Sequence, residues 1–311
     1  MSTTRLFPPL KGLIAAPFTA FHQDGQLDLE TIEQQCQLLV EDGVIGAFIC
    51  GTTGEGLSLS IAERKSVAES WMRIAPADFK VIVHVGHNSL IDARDLAAHA
   101  EAIGAWGIGG FSPFFFSVTT AELLAELCGE IAAAAPSLPF YYYHIPSLTG
   151  VHLPMRDFLQ AAHGHIPNLA GIKYSHGDLM DMRLSRAFAE GRYELMFGSD
   201  EILLSALALG VTAGVGSTYN YAAPLFHKVI QEFDAGNMEA AHRYQLLCMQ
   251  MVEVLLSYRG GTTFGKIALK HRGVDCGPCR LPLKSISAQE EADIHRALNQ
   301  LGFWEALEAA R

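Results

Sequence analysis

Eight short apolar runs recur between residues 12 and 233, and a helical pattern separates each run from the next. Each run is too short for a helix, and most are flanked by glycine or proline, as is typical of strands buried in a parallel sheet. Strands and helices that alternate at this spacing predict βαβ units of the α/β class, and eight such units favour a closed (β/α)8 TIM barrel. The runs are residues 13–16, 47–50, 81–85, 107–111, 140–143, 170–172, 194–197 and 213–215.

Local signals support the barrel over an open sheet. Ser60-Ile61-Ala62-Glu63 has the pattern of a capping box at the start of a helix, and Ser89-Leu90-Ile91-Asp92 is a weaker form of it. An open nucleotide-binding sheet normally carries a glycine fingerprint after its first strand. Here the first run is followed by Pro17-Phe18-Thr19-Ala20, which has no such fingerprint.

The alternation stops after Phe233, and the rest of the chain has only helical patterns. Helices are predicted over 238–258, 266–271 and 288–310. The junction lacks the composition of a linker, so we expect a catalytic barrel over residues 1–233 and a C-terminal helical extension over 234–311 that packs on it.

Composition and charge narrow the classes of partner. Half of the residues (50%) are hydrophobic and 18% are charged, which excludes a disordered chain. The net charge of −11 without a basic run argues against nucleic-acid binding. No stretch approaches the ~20 apolar residues that span a bilayer, and the N-terminus lacks the apolar core of a signal peptide. We therefore expect a soluble, cytoplasmic protein that acts on a small molecule.

No metal site or cofactor motif is recognisable. The 13 histidines are scattered along the chain. Cys276-Gly277-Pro278-Cys279 lies in a segment rich in glycine and proline, without the flanking strand and helix of a redox motif and without a second pair for zinc. We interpret these cysteines as structural.

A lysine and a tyrosine stand where two of the predicted strands end. Lys173 follows the sixth apolar run and Tyr143 closes the fifth. Burying an ammonium is costly, so a lysine placed in apolar surroundings is a candidate nucleophile toward a carbonyl carbon, with the tyrosine as its proton carrier. The pair predicts an aldolase that works through a Schiff base. The alternatives are a solvated lysine at a strand end and a tyrosine that serves packing.

Polar residues also follow the second, seventh and eighth strands. The stretches are Gly51-Thr52-Thr53-Gly54-Glu55, Gly198-Ser199-Asp200-Glu201 and Gly216-Ser217-Thr218. The first suits a carboxylate, although a plain turn remains an alternative, and the acidic pair suits sugar hydroxyls or a helix N-terminus. In a barrel the loops after the strands form the site, so their joint placement predicts one there. His84 lies within a strand pattern and could line the pocket, although a satisfied core histidine is the favoured interpretation.

These stretches, with Tyr143-His144-Ile145-Pro146 and Gly171-Ile172-Lys173, resemble the dihydrodipicolinate synthase / N-acetylneuraminate lyase superfamily over residues 10–282. Within it the chain is most similar to the sialic acid lyases of the animal type. The resemblance implies a homotetramer that reversibly cleaves N-acetylneuraminate to pyruvate and N-acetylmannosamine. It implies an imine at Lys173, with Tyr143 and Thr52 moving protons and Thr52 and Thr53 holding the substrate carboxylate. The residues implied to contact the sugar hydroxyls are Ser175, Gly198, Asp200, Glu201 and Ser217.

The chain departs from the family pattern at two places. Leu148 stands where the synthases carry an arginine for a second carboxylate, which counts against a dicarboxylate substrate. Phe114-Phe115-Phe116 stands where bacterial lyases place a tyrosine of the proton relay, so the relay must differ, through water or Thr52. Two alternatives therefore stay open: a lyase for another 2-oxo sugar acid, and a catalytically idle relative that binds a 2-oxo acid.

Overall fold

A closed barrel of parallel strands forms the centre of the computed structural model, which describes residues 5–258 and 260–311. Each strand pairs with the next, and the last pairs with the first, so among the described residues the sheet has no free edge. The predicted TIM barrel is confirmed. The strands are β1 (Gly12–Ala15), β2 (Gly46–Ile49), β3 (Lys80–His84), β4 (Gly107–Gly110), β5 (Phe140–His144), β6 (Leu169–Tyr174), β7 (Glu194–Phe197) and β8 (Ala213–Gly216).

Helices surround this barrel and continue beyond it. The barrel helices are α1 (Thr31–Glu41), α2 (Ile61–Ile74), α3 (Leu90–Ala102), α4 (Ala121–Ala132), α5 (Pro146–Thr149), α6 (Met155–Ala162), α7 (Leu179–Ala187), α8 (Leu203–Ala208) and α9 (Tyr219–Asp234). The C-terminal helices are α10 (Met238–Ser257), α11 (Gly261–His271), α12 (Ala288–Gln300) and α13 (Phe303–Ala310). Within the described residues, no helix is long and apolar enough to cross a membrane.

Side chains alternate between the barrel interior and the layer under the helices. On β5, Tyr141 and Tyr143 belong to the interior cluster with Phe48 of β2. Tyr142 belongs to the outer cluster and packs on Phe158 of α6. This is the period of two expected of a strand, so Tyr142 points away from the other two tyrosines.

The sequence predicted the starts of two helices correctly and the extent of a third wrongly. The hydroxyl of Ser60 accepts the backbone N–H of Glu63, whose side chain in turn accepts the Ser60 N–H, so the predicted capping box starts α2. Ser89 caps α3 through the Asp92 N–H. The single helix predicted over 288–310 is wrong, because Gly302 adopts φ 65° and divides it into α12 and α13.

Buried polar contacts connect the C-terminal helices to the barrel. Arg272, at the end of α11, donates both guanidinium NH2 groups to the Asp42 carboxylate at the end of α1, each at 3.0 Å. Gln245 of α10 accepts the Leu204 N–H at 2.9 Å, so α10 also holds the start of α8. The division of the chain between residues 233 and 234 stays a prediction; α9 ends at Asp234.

Candidate active site

Lys173 lies inside the barrel, close to two aromatic rings. It is 4% exposed, and its Nζ atom is 4.0 Å from the Tyr143 ring centre and 4.1 Å from that of Phe48. The expected strand end before Lys173 is wrong, because β6 continues to Tyr174. Since β6 alternates, Lys173 faces the interior and is not solvated. Among the described residues it makes no ion pair with a carboxylate, which leaves the nitrogen free to attack a carbonyl carbon.

Tyr143 stands beside Lys173 on the neighbouring strand. The two residues are register partners in the β5–β6 pairing. The Tyr143 hydroxyl lies 3.4 Å from the Thr52 hydroxyl, and either can be the donor. Tyr143 is buried and Thr52 is exposed, so their two hydroxyls connect the surroundings of Lys173 with solvent. A proton can be transferred along these two hydroxyls.

The loop that carries Thr52 and Thr53 is tightly folded. The Gly56 N–H donates to the Gly51 carbonyl at 3.0 Å, and the Thr19 hydroxyl donates to the Gly54 carbonyl at 2.6 Å. A Cβ on Gly56 would meet the Cys50 carbonyl oxygen at 1.9 Å, so only glycine fits. Thr53 is half-buried. The loop therefore presents its hydroxyls from a backbone held by hydrogen bonds.

Asp200 and Glu201 take different positions although they are adjacent in sequence. Asp200 is buried, and its Oδ2 accepts the Thr218 hydroxyl at 2.6 Å and the Thr218 N–H at 3.0 Å. Its Oδ1 is buried without a hydrogen-bond partner among the described residues, and a Cβ on Gly216 would lie 1.8 Å from it. Burial raises the pKa of the Asp200 carboxyl to about 6, against the Thr218 hydrogen bonds, which lower it. Glu201 is exposed.

The structure brings Ser175, Gly198 and Ser217 to the same end of the barrel. A Cβ on Gly198 would lie 2.0 Å from the Ser175 hydroxyl, so the serine occupies the space above this glycine. A Cβ on Gly261 would lie 3.8 Å from the Ser217 hydroxyl. The N-terminus of α11, at Gly261, therefore lies close to Ser217.

His84 is a site residue that sequence reasoning underrated. Its ring stacks on Phe111 at 4.7 Å and meets the Tyr143 ring edge-on at 5.8 Å. Its Nδ1 lies 3.2 Å from the Cys50 carbonyl, an acceptor, and 3.4 Å from Arg64 Nη2, a donor, and the shorter contact favours a proton on Nδ1. Nε2 is buried without a partner among the described residues, so the histidine is only half satisfied.

Burial, reinforced by the charges of Arg64 and Lys173, holds the pKa of His84 well below its usual value. The imidazole beside Tyr143 is therefore neutral. The position of His84 at the end of β3 is the sequence signal for this role, because the loops after the strands of a barrel form its site.

The two departures from the family pattern lie at the surface. Leu148 is exposed on α5. Phe115 and Phe116 are exposed and meet edge-to-face at 5.1 Å, while Phe114 packs on Phe111. None of these side chains carries a hydroxyl that would transfer a proton. Within the described residues, no three histidine, cysteine or acidic side chains converge as a metal ion requires.

Comparisons with known proteins place the chain among related sequences and folds. Residues 9–301 match the family described as the Dihydrodipicolinate synthetase family. The N-acetylneuraminate lyase of Rattus norvegicus is 40% identical over 298 residues, which cover 94% of this chain and 93% of that protein. The corresponding lyase of Homo sapiens is 39% identical over 298 residues, with the same coverage of 94% and 93%.

Solved structures give the same relationship. The Proteus mirabilis N-acetylneuraminate lyase superposes with a TM-score of 0.92 at 38% identity, covering 95% of this chain and 100% of that one. The native N-acetylneuraminate lyase (sialic acid aldolase) of Aliivibrio salmonicida has a TM-score of 0.93 at 38% identity, covering 96% and 98%.

Proposed function

We propose, since the chain belongs to the dihydrodipicolinate synthetase family, that it cleaves N-acetylneuraminate reversibly to pyruvate and N-acetylmannosamine. The chain is then a carbon–carbon lyase, a class I aldolase. The observation that carries the proposal is Lys173, buried in the barrel against Tyr143 and Phe48 without a carboxylate partner among the described residues. This environment suits a lysine that acts as a nucleophile. It therefore favours a working lyase over a relative that binds a 2-oxo acid without turnover.

The chemistry begins at the C2 ketone of the open-chain sugar acid. Lys173 Nζ adds to C2, and loss of water gives an imine, which is protonated at nitrogen. This cation accepts the electron pair of the C3–C4 bond as the C4 hydroxyl loses its proton and becomes the aldehyde of N-acetylmannosamine. The resulting enamine takes a proton at C3, and water then hydrolyses the imine to release pyruvate and free Lys173.

Tyr143 and Thr52 are assigned to the proton steps. Tyr143 takes the proton of the C4 hydroxyl and returns one to C3, and its 3.4 Å contact with Thr52 leads onward to solvent. This route replaces the tyrosine that bacterial lyases place after the fourth strand, where this chain has only phenylalanines.

The remaining site residues are assigned to binding. Thr52 and Thr53 hold the substrate carboxylate from the rigid loop 51–56. Asp200 Oδ1 has no partner among the described residues and lies under Gly216, which makes it an acceptor for a sugar hydroxyl. The other groups assigned to the sugar are Ser175, Gly198, Glu201 and Ser217.

Assembly and compartment follow from the resemblance to the lyases, and we propose a homotetramer in the cytoplasm. The exposed ring pair of Phe115 and Phe116 supports assembly, because apolar surface of this kind is usually covered by a partner. Light scattering of the purified protein tests the tetramer.

Pyruvate release from N-acetylneuraminate, coupled to NADH oxidation by lactate dehydrogenase, tests the function. We expect release by the wild type and none by Lys173→Ala, while Lys11→Ala, at an exposed lysine, retains full activity. If the wild type releases no pyruvate, borohydride trapping with pyruvate separates the alternatives. A trapped imine then indicates a lyase for another 2-oxo sugar acid, and an untrapped protein indicates an idle relative.

A further inference from the structure

Glu55 ties the loop that carries Thr52 and Thr53 to the C-terminal helices. Its carboxylate is fully buried, and Oε1 lies 2.9 Å from Lys266 Nζ on α11, which is itself 3% exposed. Its Oε2 accepts the Arg280 backbone N–H at 2.8 Å. Lys266 also donates to the Pro278 carbonyl at 2.7 Å. One carboxylate thus joins the loop, α11 and the segment 278–280.

The backbone of Glu55 is held in a costly conformation. Its φ of 53° and ψ of 30° lie in the left-handed region, where residues other than glycine are uncommon. Such a conformation persists when surrounding contacts over-determine it, and such residues cluster at functional sites. Here the two carboxylate contacts supply the constraint, and the Glu55 N–H closes the turn onto the Thr52 carbonyl at 3.1 Å.

A buried ion pair is a poor source of stability. Removing two charges from water costs about as much as their attraction returns, so an apolar pair of equal volume would hold the fold as well. What the pair does supply is direction, since the carboxylate lies between the Lys266 ammonium and the Arg280 backbone N–H. The position of the Thr52 backbone is therefore coupled to a helix that carries no group of the proposed chemistry.

We propose that Glu55 and Lys266 are positioning residues that hold Thr52 and Thr53 where the carboxylate of a 2-oxo acid binds. This inference rests on the proposed function and deepens it, because it makes the C-terminal extension part of the substrate-binding machinery. Removing either charge should weaken recognition of the carboxylate without removing the Lys173 nucleophile.

The chain offers a matched control. Arg272 and Asp42 form a second buried ion pair between the C-terminal helices and the barrel, with side-chain exposures of 5% and 1%. Its remaining hydrogen bond reaches the Tyr221 carbonyl, and among the described residues none of its bonds involves the loop 51–56. Arg272→Met therefore breaks an equivalent buried ion pair and leaves the loop 51–56 untouched.

The experiment is borohydride trapping at Lys173, measured by intact mass over a range of ketone concentrations. Two ketones are compared: pyruvate, and methyl pyruvate, in which the carboxylate is esterified. For Glu55→Gln and Lys266→Met we expect the half-saturating pyruvate concentration to rise about tenfold. We expect that of methyl pyruvate to stay within about twofold, and the extent of trapping at saturation to be unchanged. Arg272→Met should lower the thermal midpoint and leave the preference for pyruvate intact.

The positioning role is overturned if both ketones weaken equally in the Glu55 and Lys266 variants, or if neither weakens. Should the charge variants fail to fold, Thr19→Val removes only the hydrogen bond to the Gly54 carbonyl and should show the same selective loss for pyruvate. Trapping needs no N-acetylneuraminate. A wild type that is trapped by pyruvate yet releases none from that sugar acid contradicts the proposed function alone.

Discussion

The Nζ atom of Lys173 lies 4.0 Å from the centre of the Tyr143 ring, and the two residues are register partners on adjacent strands. The ring packs against the nucleophile while the hydroxyl points to Thr52, so one side chain has two separable roles. Removing the hydroxyl alone should separate proton transfer from imine formation.

Tyr143→Phe keeps the ring and removes the hydroxyl. We expect kcat for pyruvate release to fall about 10²–10⁴-fold, the usual contribution of a general acid–base. Borohydride trapping with pyruvate should persist, because Lys173 and its aromatic surroundings remain. The matched control is Tyr142→Phe on the outer face of β5, which should alter stability but not kcat. Equal loss of trapping and turnover in Tyr143→Phe would contradict the assignment.

Asp200→Asn should stabilise the protein in a manner that depends on pH. The folded-state pKa is about 6, against an ordinary value of 3.8, so between these values the unfolded chain releases a proton that the folded protein still holds. The protonated Asp200 carboxyl contributes fully to the free energy of unfolding below about pH 4. This contribution, about 3 kcal/mol in total, is lost as pH rises through 6. Asparagine cannot ionise, and its amide oxygen still accepts from Thr218.

Urea unfolding of both proteins between pH 4 and 7 measures the effect. The difference in the free energy of unfolding should move in favour of the variant as pH rises and level off above about 6. A difference that does not change with pH would contradict the buried carboxylate as its cause.

His144 should make the protein sensitive to mild acid. Burial, followed by the charges of His176 and His152, lowers the pKa of His144 from 6.5 to about 3. Above pH 6.5 the His144 imidazole is neutral in both the folded and the unfolded state, so its contribution to stability is complete. As pH falls below 6.5 the imidazole of the unfolded chain binds a proton, whereas that of the folded protein stays neutral. This difference lowers the free energy of unfolding by about 2 kcal/mol at pH 5.

His144→Gln should flatten this part of the stability profile, measured as thermal midpoints between pH 8 and 5. His165→Gln, at an exposed histidine, is the control and should leave the slope as in the wild type. A slope equal in wild type and His144→Gln would place the acid sensitivity elsewhere.

Lys266→Met should lower the free energy of unfolding by about 3–5 kcal/mol, because it leaves the Glu55 carboxylate buried and unpaired. Glu55→Gln in the same chain removes that charge, so the double variant should recover much of the loss. Denaturant unfolding of the two single variants and the double variant gives the coupling between them. Strictly additive losses would show that the two charges do not interact.

Gly216→Ala should disturb Asp200. The new Cβ would lie 1.8 Å from Asp200 Oδ1, so the carboxylate or β8 must shift, at a cost of about 1–3 kcal/mol. Gly177→Ala, where nothing lies within 4 Å of the new Cβ, should stay within about 0.5 kcal/mol of the wild type. Thermal unfolding compares them, and equal midpoints would contradict the close contact.

The barrel could be predicted because its signals are local. Each apolar run is contiguous, and the Ser60 and Ser89 caps are each confined to a few residues. The ends of elements were harder, since nothing in the run 170–172 shows that β6 continues past Lys173. Gly302 alone did not reveal the break between α12 and α13, because an isolated glycine is also tolerated within a helix.

The site could be located but not resolved in detail. The loops after the strands were identified from the rule for barrels, yet adjacent Asp200 and Glu201 differ in burial because only the first is turned under Gly216. The contact of Glu55 with Lys266 joins segments far apart in the chain, and no local pattern announces it. His84 was underrated because its partner is a backbone carbonyl of another strand's loop.

The ion pair of Glu55 and Lys266 also bears on the order in which the ribosome makes the chain. The loop 51–56 is translated long before α11. A nascent barrel therefore carries the Glu55 carboxylate before Lys266, its ion-pair partner, has been translated. Full affinity for the substrate carboxylate is then acquired late in synthesis, after the helix with Lys266 has left the exit tunnel. A partly made chain that closes its barrel would keep Lys173 but bind that carboxylate more weakly.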